Sequence, residues 1–186
     1  EQTMSKRRLV IVLVAVGLGL YVGWHVRKER VRSEIHSLDR TMLQGVNAVK
    51  VIVDMEQEVE AKGLTKKRLQ TMVELQLRKG GVGVLTGGEW PPEPSMPSLY
   101  INTNVLLADG DQTCIYNIAV SYLEAVYLDR EPYLWHPLAE LWNTGTLGRC
   151  GGDRLSTVIT ENVQADVDEF INLYLKANPE AAKGGR

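Results

Sequence analysis

The stretch Leu99-Tyr100-Ile101-Asn102-Thr103-Asn104-Val105-Leu106-Leu107, closed by Ala108-Asp109-Gly110-Asp111, decides how this chain folds. Leu99, Ile101, Thr103, Val105 and Leu107 alternate with Tyr100, Asn102 and Asn104, so a period of two gives a strand with one apolar and one polar face. The Ala-Asp-Gly-Asp segment supplies a turn. Thr113 to Leu128, rich in Ile, Tyr and Val, returns as a second strand, and its sixteen residues predict a bend or bulge. Asp129-Arg130-Glu131-Pro132 turns again, and a third strand runs through Leu138, Glu140 and Trp142 towards Gly145, completing an antiparallel meander.

Working outward, Val49, Val51, Val53 and Met55 alternate against Lys50 and Asp54 in a half-buried strand that begins the domain near Val46. An acidic connector, Glu56 to Glu60, follows. Thr65 then opens a helix with Leu69, Met72, Val73 and Leu77 on one face, and Gly80-Gly81 ends it. After the short strand Val82–Leu85, the segment Thr86 to Ser98 contains Gly87-Gly88, Pro91, Pro92, Pro94 and Pro97, and reads as a long loop holding Trp90. Leu155 to Asn178 is an amphipathic helix with Leu155, Ile159, Val163, Val167, Phe170, Ile171 and Tyr174 along one side. Asp153 or Ser156 can cap its start, and Asn178-Pro179 stops it. Two such helices need one apolar sheet face. The expected class is α+β, a mainly antiparallel sheet with two helices packed on one face. The other face would present Asn102, Asn104, Asn117 and Ser121.

Ahead of this domain stands an uncharged run, Leu9 to Val26, between Lys6-Arg7-Arg8 and Arg27-Lys28-Glu29-Arg30. As a helix it would span about 27 Å, close to the roughly 30 Å of a hydrocarbon core, with Tyr21 and Trp24 at the interface. No small-x-small cleavage site follows it, so a single transmembrane helix is expected rather than a cleaved signal. The organisation is then a basic tail (1–8), a transmembrane helix (9–26), a juxtamembrane helical stalk (27–45) carrying Val31, Ile35, Leu38 and Met42, a globular domain (46–179) and a C-terminal tail (180–186). Ala15, Gly19 and Gly23 recur every four residues and form a candidate helix-packing face. Three basic residues precede the run, and Arg27, Lys28, Arg30, Arg32 and Arg40 follow it, which by the positive-inside count places the domain in the cytoplasm. A short basic N-terminus before a first apolar helix is instead the plan of an exported domain, and the outer side is the expectation.

Charge and composition exclude several functions. Residues 1–45 carry eight Lys/Arg against four Asp/Glu, and residues 46–186 carry thirteen against nineteen, so the domain is acidic and nucleic acid is not an expected partner. Membrane lipid and other transmembrane subunits are. Cys114 and Cys150 are two cysteines that fit one disulfide or two buried thiols. No Cys or His pair has metal-ligand spacing, and His25, His36 and His136 read as surface or interfacial residues. The glycine-rich Thr144–Asp153 segment lies where phosphate can be cradled. It lacks the Walker lysine, and Asp153 would sit where the anion belongs, so it reads as a sharp turn and cap. Asp166 with Asp168 or Glu169 reads as the solvent side of the last helix. Trp135 and Trp142, seven apart on a strand, fall on opposite faces, so one reads as core, and the other, if exposed on the polar face, would be a contact residue. No catalytic residue, metal or cofactor is expected.

The segments Ser98–Leu106, Trp142–Gly148 and Val167–Pro179, with Gly63-Leu64-Thr65 before the first helix, resemble a set of small bacterial envelope proteins of unknown function that carry an N-terminal export or anchor segment. The likeness covers residues 46–179 and implies a bacterial, envelope-located domain; together with the anchor and the outer-side orientation, the expected location is the bacterial inner membrane, single-pass, with a periplasmic domain. The element order is also similar to small α+β modules of envelope assembly factors. The expected function is a non-enzymatic accessory subunit of a larger membrane complex, of which a photosynthetic reaction-centre and antenna assembly is one example. Trp90, Asn102 and Asn104 are its candidate partner contacts. The alternative is a membrane-tethered periplasmic binding or envelope-assembly module.

Overall fold

Period-two alternation in the sequence becomes the centre of a five-stranded sheet. The computed structural model describes residues 41–85, 96–110 and 112–181, and for residues 131–137 the backbone alone. Its strands are β1 (Ala48–Met55), β2 (Gly83–Leu85), β3 (Ser98–Ala108), β4 (Thr113–Leu128) and β5 (Glu131–Gly151). Their spatial order is β2-β1-β3-β4-β5. The helices are α1 (Gln57–Ala61), α2 (Lys66–Lys79) and α3 (Leu155–Ala177). β3, β4 and β5 form the antiparallel meander, turning first through Asp109 and Gly110, which both take positive φ (51° and 62°). The long β4 is irregular against β5, with register shifts at Tyr122/Leu123, Glu124/Val126 and Tyr127/Leu128.

The expected fold class needs correction on two counts. The sheet is mixed rather than mainly antiparallel, because β1 runs parallel to both of its neighbours, β2 and β3. The cause is the connection. α1 and α2 carry the chain from the end of β1 back to its beginning, so β2 starts there and runs parallel to β1, and β3 starts at that same end, with Ser98 beside Lys50. Alternation fixes the two faces of a strand but not the direction of the strand beside it. Secondly, among the described residues no helix is long and apolar enough to cross a membrane. The transmembrane expectation falls on residues 9–26, outside the described residues, as do Ala15, Gly19, Gly23 and the stalk positions before residue 41.

α2 and α3 lie side by side on one sheet face, and their apolar stripes make the core. Leu69, Val73 and Leu77 of α2 are fully buried, as are Leu155, Ile159, Val163, Val167 and Phe170 of α3. Phe170 sets α3 on the sheet, its ring centroid 5.9 Å from that of Tyr122 on β4 and 5.5 Å from that of Trp142 on β5. Each such aliphatic or aromatic side chain contributes roughly 1.5–3 kcal/mol on full burial. The Thr65 hydroxyl accepts from the Arg68 N–H (3.2 Å), the cap that starts α2. α3 starts differently from expectation: Arg154 holds the cap position and no side chain caps the helix.

Two further sequence expectations change here. The glycine-rich stretch from Thr144 is strand up to Gly151, not turn. Gly145 passes so close to the Ile118 carbonyl, and Gly148 to the Tyr116 hydroxyl, that a Cβ at either position would collide, so the glycines permit close strand approach. Asp166 does not lie on the solvent side of α3. It is only 8 % exposed, with Oδ2 unpartnered among the described residues. Burial, reinforced by Glu169, pushes its carboxyl up to about 6.

The core also reaches upstream of Val46, taking in Leu43, which is fully buried. Asn178 fastens that entry to the end of α3. Its Oδ1 accepts from the Gly45 N–H (2.8 Å), and its Nδ2 donates to the Leu43 carbonyl (2.8 Å) and the Tyr174 carbonyl (3.1 Å). Gly45 takes a positive φ of 81° at this crossing.

Candidate docking face

The sheet has a second face, opposite the helices, built from the residues that alternate with the core set. Cross-strand register assembles it: Tyr100 stands opposite Ser121, Asn102 opposite Ala119, Asn104 opposite Asn117, and Leu106 opposite Ile115. On β5, Asn143, Gly145, Leu147 and Arg149 continue these rows. The face changes character along the strands. At one end Lys50, Ser98 and Ser121 are buried; at the other, Asn104, Leu106, Ile115, Asn117, Leu147 and Arg149 are exposed.

Hydrogen bonds order its middle. The Tyr100 hydroxyl donates to Asp54 Oδ2 (3.0 Å), and Asn102 Nδ2 donates to the Tyr100 oxygen (3.5 Å). Lys66 Nζ lies 3.7 Å from Asp54 Oδ1, tying the row to the start of α2. Burial, then the bond to Asp54, raises the Tyr100 phenol above its ordinary value. Glu56 Oε2 accepts from the Val105 N–H (2.7 Å), satisfying a β3 donor just beyond the end of β1.

The exposed end is unusual in its apolar content. Leu106 is 64 % exposed, Ile115 42 % and Leu147 76 %; they are three of the five exposed large hydrophobic residues among the described residues. They are also neighbours. Leu106 and Ile115 are direct cross-strand partners, and Leu147 pairs with Asn117, diagonal to Ile115. A lone exposed leucine means little, but a contiguous apolar cluster rimmed by asparagines and an arginine has the makeup of a contact patch. Beside it, β5 forms one edge of the sheet and is its longest strand at 21 residues.

The sequence candidates divide accordingly. Asn104 is exposed on this face next to the apolar cluster, whereas Asn102 is half-buried in the Tyr100 row and acts as scaffold. Trp90 lies outside the described residues, and so do the side chains of Trp135 and His136. Trp142 belongs to the core. Cys114 and Cys150 stand directly opposite each other on β4 and β5 as free thiols, the first fully buried and the second half-buried. Burial, then the neighbouring Cys114, raises the Cys150 thiol above its ordinary value, so the protonated form dominates at neutral pH.

Sequence reasoning missed Leu106, Ile115 and Leu147. The available signal was parity, since Leu106 follows Asn102 and Asn104 on the polar set, and Ile115 precedes Asn117 on the same face.

Two depressions lie elsewhere. One of about 400 Å³ at the strand ends is bordered by Met42, Val46, Leu85, Pro97 and Glu124, the last being the one titratable side chain on its wall among the described residues. The other, about 290 Å³, lies between α2 and α3, where Gln76 Nε2 donates to the Gln164 carbonyl (2.8 Å) and Asp168 Oδ1 (2.7 Å). Among the described residues, no group of three or more His, Cys, Asp or Glu is placed to hold a metal ion. No protein family, no curated protein and no solved structure matches the chain.

Proposed function

We propose that this chain is a non-enzymatic accessory subunit of a larger membrane protein complex, docking through the open face of its sheet. The observation that carries this is the contiguous exposure of Leu106, Ile115 and Leu147 on the sheet face opposite the described helices α2 and α3. Covering three partly exposed aliphatic side chains offers a few kcal/mol of gross driving force at about 25 cal/mol per Å², the scale of a small interface hot spot. Asn104, Asn117 and Arg149 supply a polar rim to fix orientation. The uncharged run of residues 9–26 between basic clusters supports a bilayer as the setting.

The test is the native size of the full chain extracted from its own membranes in mild detergent. An accessory subunit migrates stoichiometrically with one large complex. Elution as a small species would reject that reading in favour of a free envelope-assembly or binding module.

A further inference from the structure

We propose that Cys114 and Cys150 are a built disulfide-forming site, oxidised by a disulfide-bearing thiol oxidant without movement of either strand. The chain has only two cysteines, and the fold sets them directly opposite each other on adjacent antiparallel strands. Residues so paired have Cα atoms about 4.5–5.5 Å apart, inside the roughly 4.4–6.8 Å that a disulfide spans. Both side chains belong to the helix-covered side: Cys114 is a core residue and Cys150 packs against that core. The ladder around them is already closed. Thr113 pairs with Gly151, Ile115 with Arg149, and the Gly152 N–H donates to the Gln112 carbonyl (3.1 Å) just beyond.

Exposure sets the order of events. Cys150 is half-buried and Cys114 fully buried, so the oxidant meets Cys150 first. The Cys150 thiolate attacks one sulfur of the donor disulfide, forming a mixed disulfide and expelling the first donor thiolate. Cys114 loses its proton to water and its sulfur attacks Cys150 Sγ, forming the intramolecular bond and expelling the second donor thiolate. Two protein thiols are oxidised, one donor disulfide is reduced to two thiols, and the two protons released are taken up by the two donor thiolates. The bond closes the Cys114-to-Cys150 segment, which contains the whole β4–β5 turn, and ties the strands beneath Ile115 and Leu147.

The full chain is incubated with oxidised dithiothreitol or oxidised glutathione, then denatured and assayed for free thiols, intact mass and linked peptides. The expected result is loss of both thiols in a monomer two mass units lighter, a Cys114–Cys150 peptide after digestion, and a Tm higher by about 10 °C that reduction reverses. Two thiols that persist in the folded chain while the denatured chain loses them would overturn the proposal. A stable adduct on Cys150 alone, or a disulfide between chains, would overturn it equally.

Discussion

The two faces of one sheet come from a single alternating pattern, yet they are finished in opposite ways. On the helix side, Leu99, Ile101, Ile118, Val120 and Tyr122 are at most 1 % exposed beneath α2 and α3. On the other side the same strands carry Tyr100, Asn102, Asn104, Asn117, Ala119 and Ser121 and then, at one end, Leu106 and Ile115 in the open, with Leu147 of β5 beside them. The contrast teaches which exposed side chains of the sheet to test for contacts. Core aliphatics are explained by folding, whereas a cluster of exposed aliphatics that breaks the polar alternation is what the docking proposal rests on.

Substitutions sharpen this contrast in order of their effect on stability. Phe170→Ala removes the ring that packs on Tyr122 and Trp142 and is expected to cost about 3–5 kcal/mol, measured by chemical denaturation. Asp166→Asn acts in the opposite direction. The folded carboxyl is raised to about 6 from an ordinary 3.8, so the folded chain binds its proton more tightly than the unfolded chain. The stability associated with that proton is full below pH 3.8 and is lost as pH rises through about 6. The amide should therefore stabilise the chain by about 1–3 kcal/mol at pH 7 and leave it unchanged near pH 4. An unaltered pH slope between 4 and 7 would refute this account of Asp166.

Asn178→Ala removes the hydrogen bonds to the exposed Gly45 N–H and the part-buried Leu43 carbonyl and is expected to cost about 0.5–1.5 kcal/mol, with faster amide exchange at residues 43–46 as its local signature. Leu147→Ser lies at the other extreme, with a change in unfolding free energy within about 0.5 kcal/mol. A large loss of stability there would show that the open end belongs to the fold and would erase the contrast between the faces.

Much of the fold was legible because strand periodicity and helix stripes are local. The meander, the α2 cap at Thr65 and the core stripe of α3 all follow from side-chain spacing and turn chemistry. Strand direction was not legible, since the parallel placement of β1 depends on how a helical crossover returns the chain. Gly145 and Gly148 misled for a related reason: glycine marks either a turn or a close backbone approach, and only the Ile118 carbonyl and Tyr116 hydroxyl distinguish the two. Asp166 looked solvent-facing because it is charged, although it sits one residue from Val167 at the margin of the apolar stripe. At the candidate site, Asn104 was visible from parity. The apolar cluster was not, because Leu147 joins Ile115 only through the β4–β5 register.

The most direct test of the docking claim compares Leu147→Asp with Leu75→Asp, two exposed leucines on opposite sides of the molecule, Leu75 being 49 % exposed on α2. Both full-length variants are extracted in mild detergent, checked for equal melting, and sized. The account predicts that Leu147→Asp leaves the large complex and migrates as a small species while Leu75→Asp stays with it. Retention of both variants in the complex, or release of both, would contradict the assignment of docking to the open face.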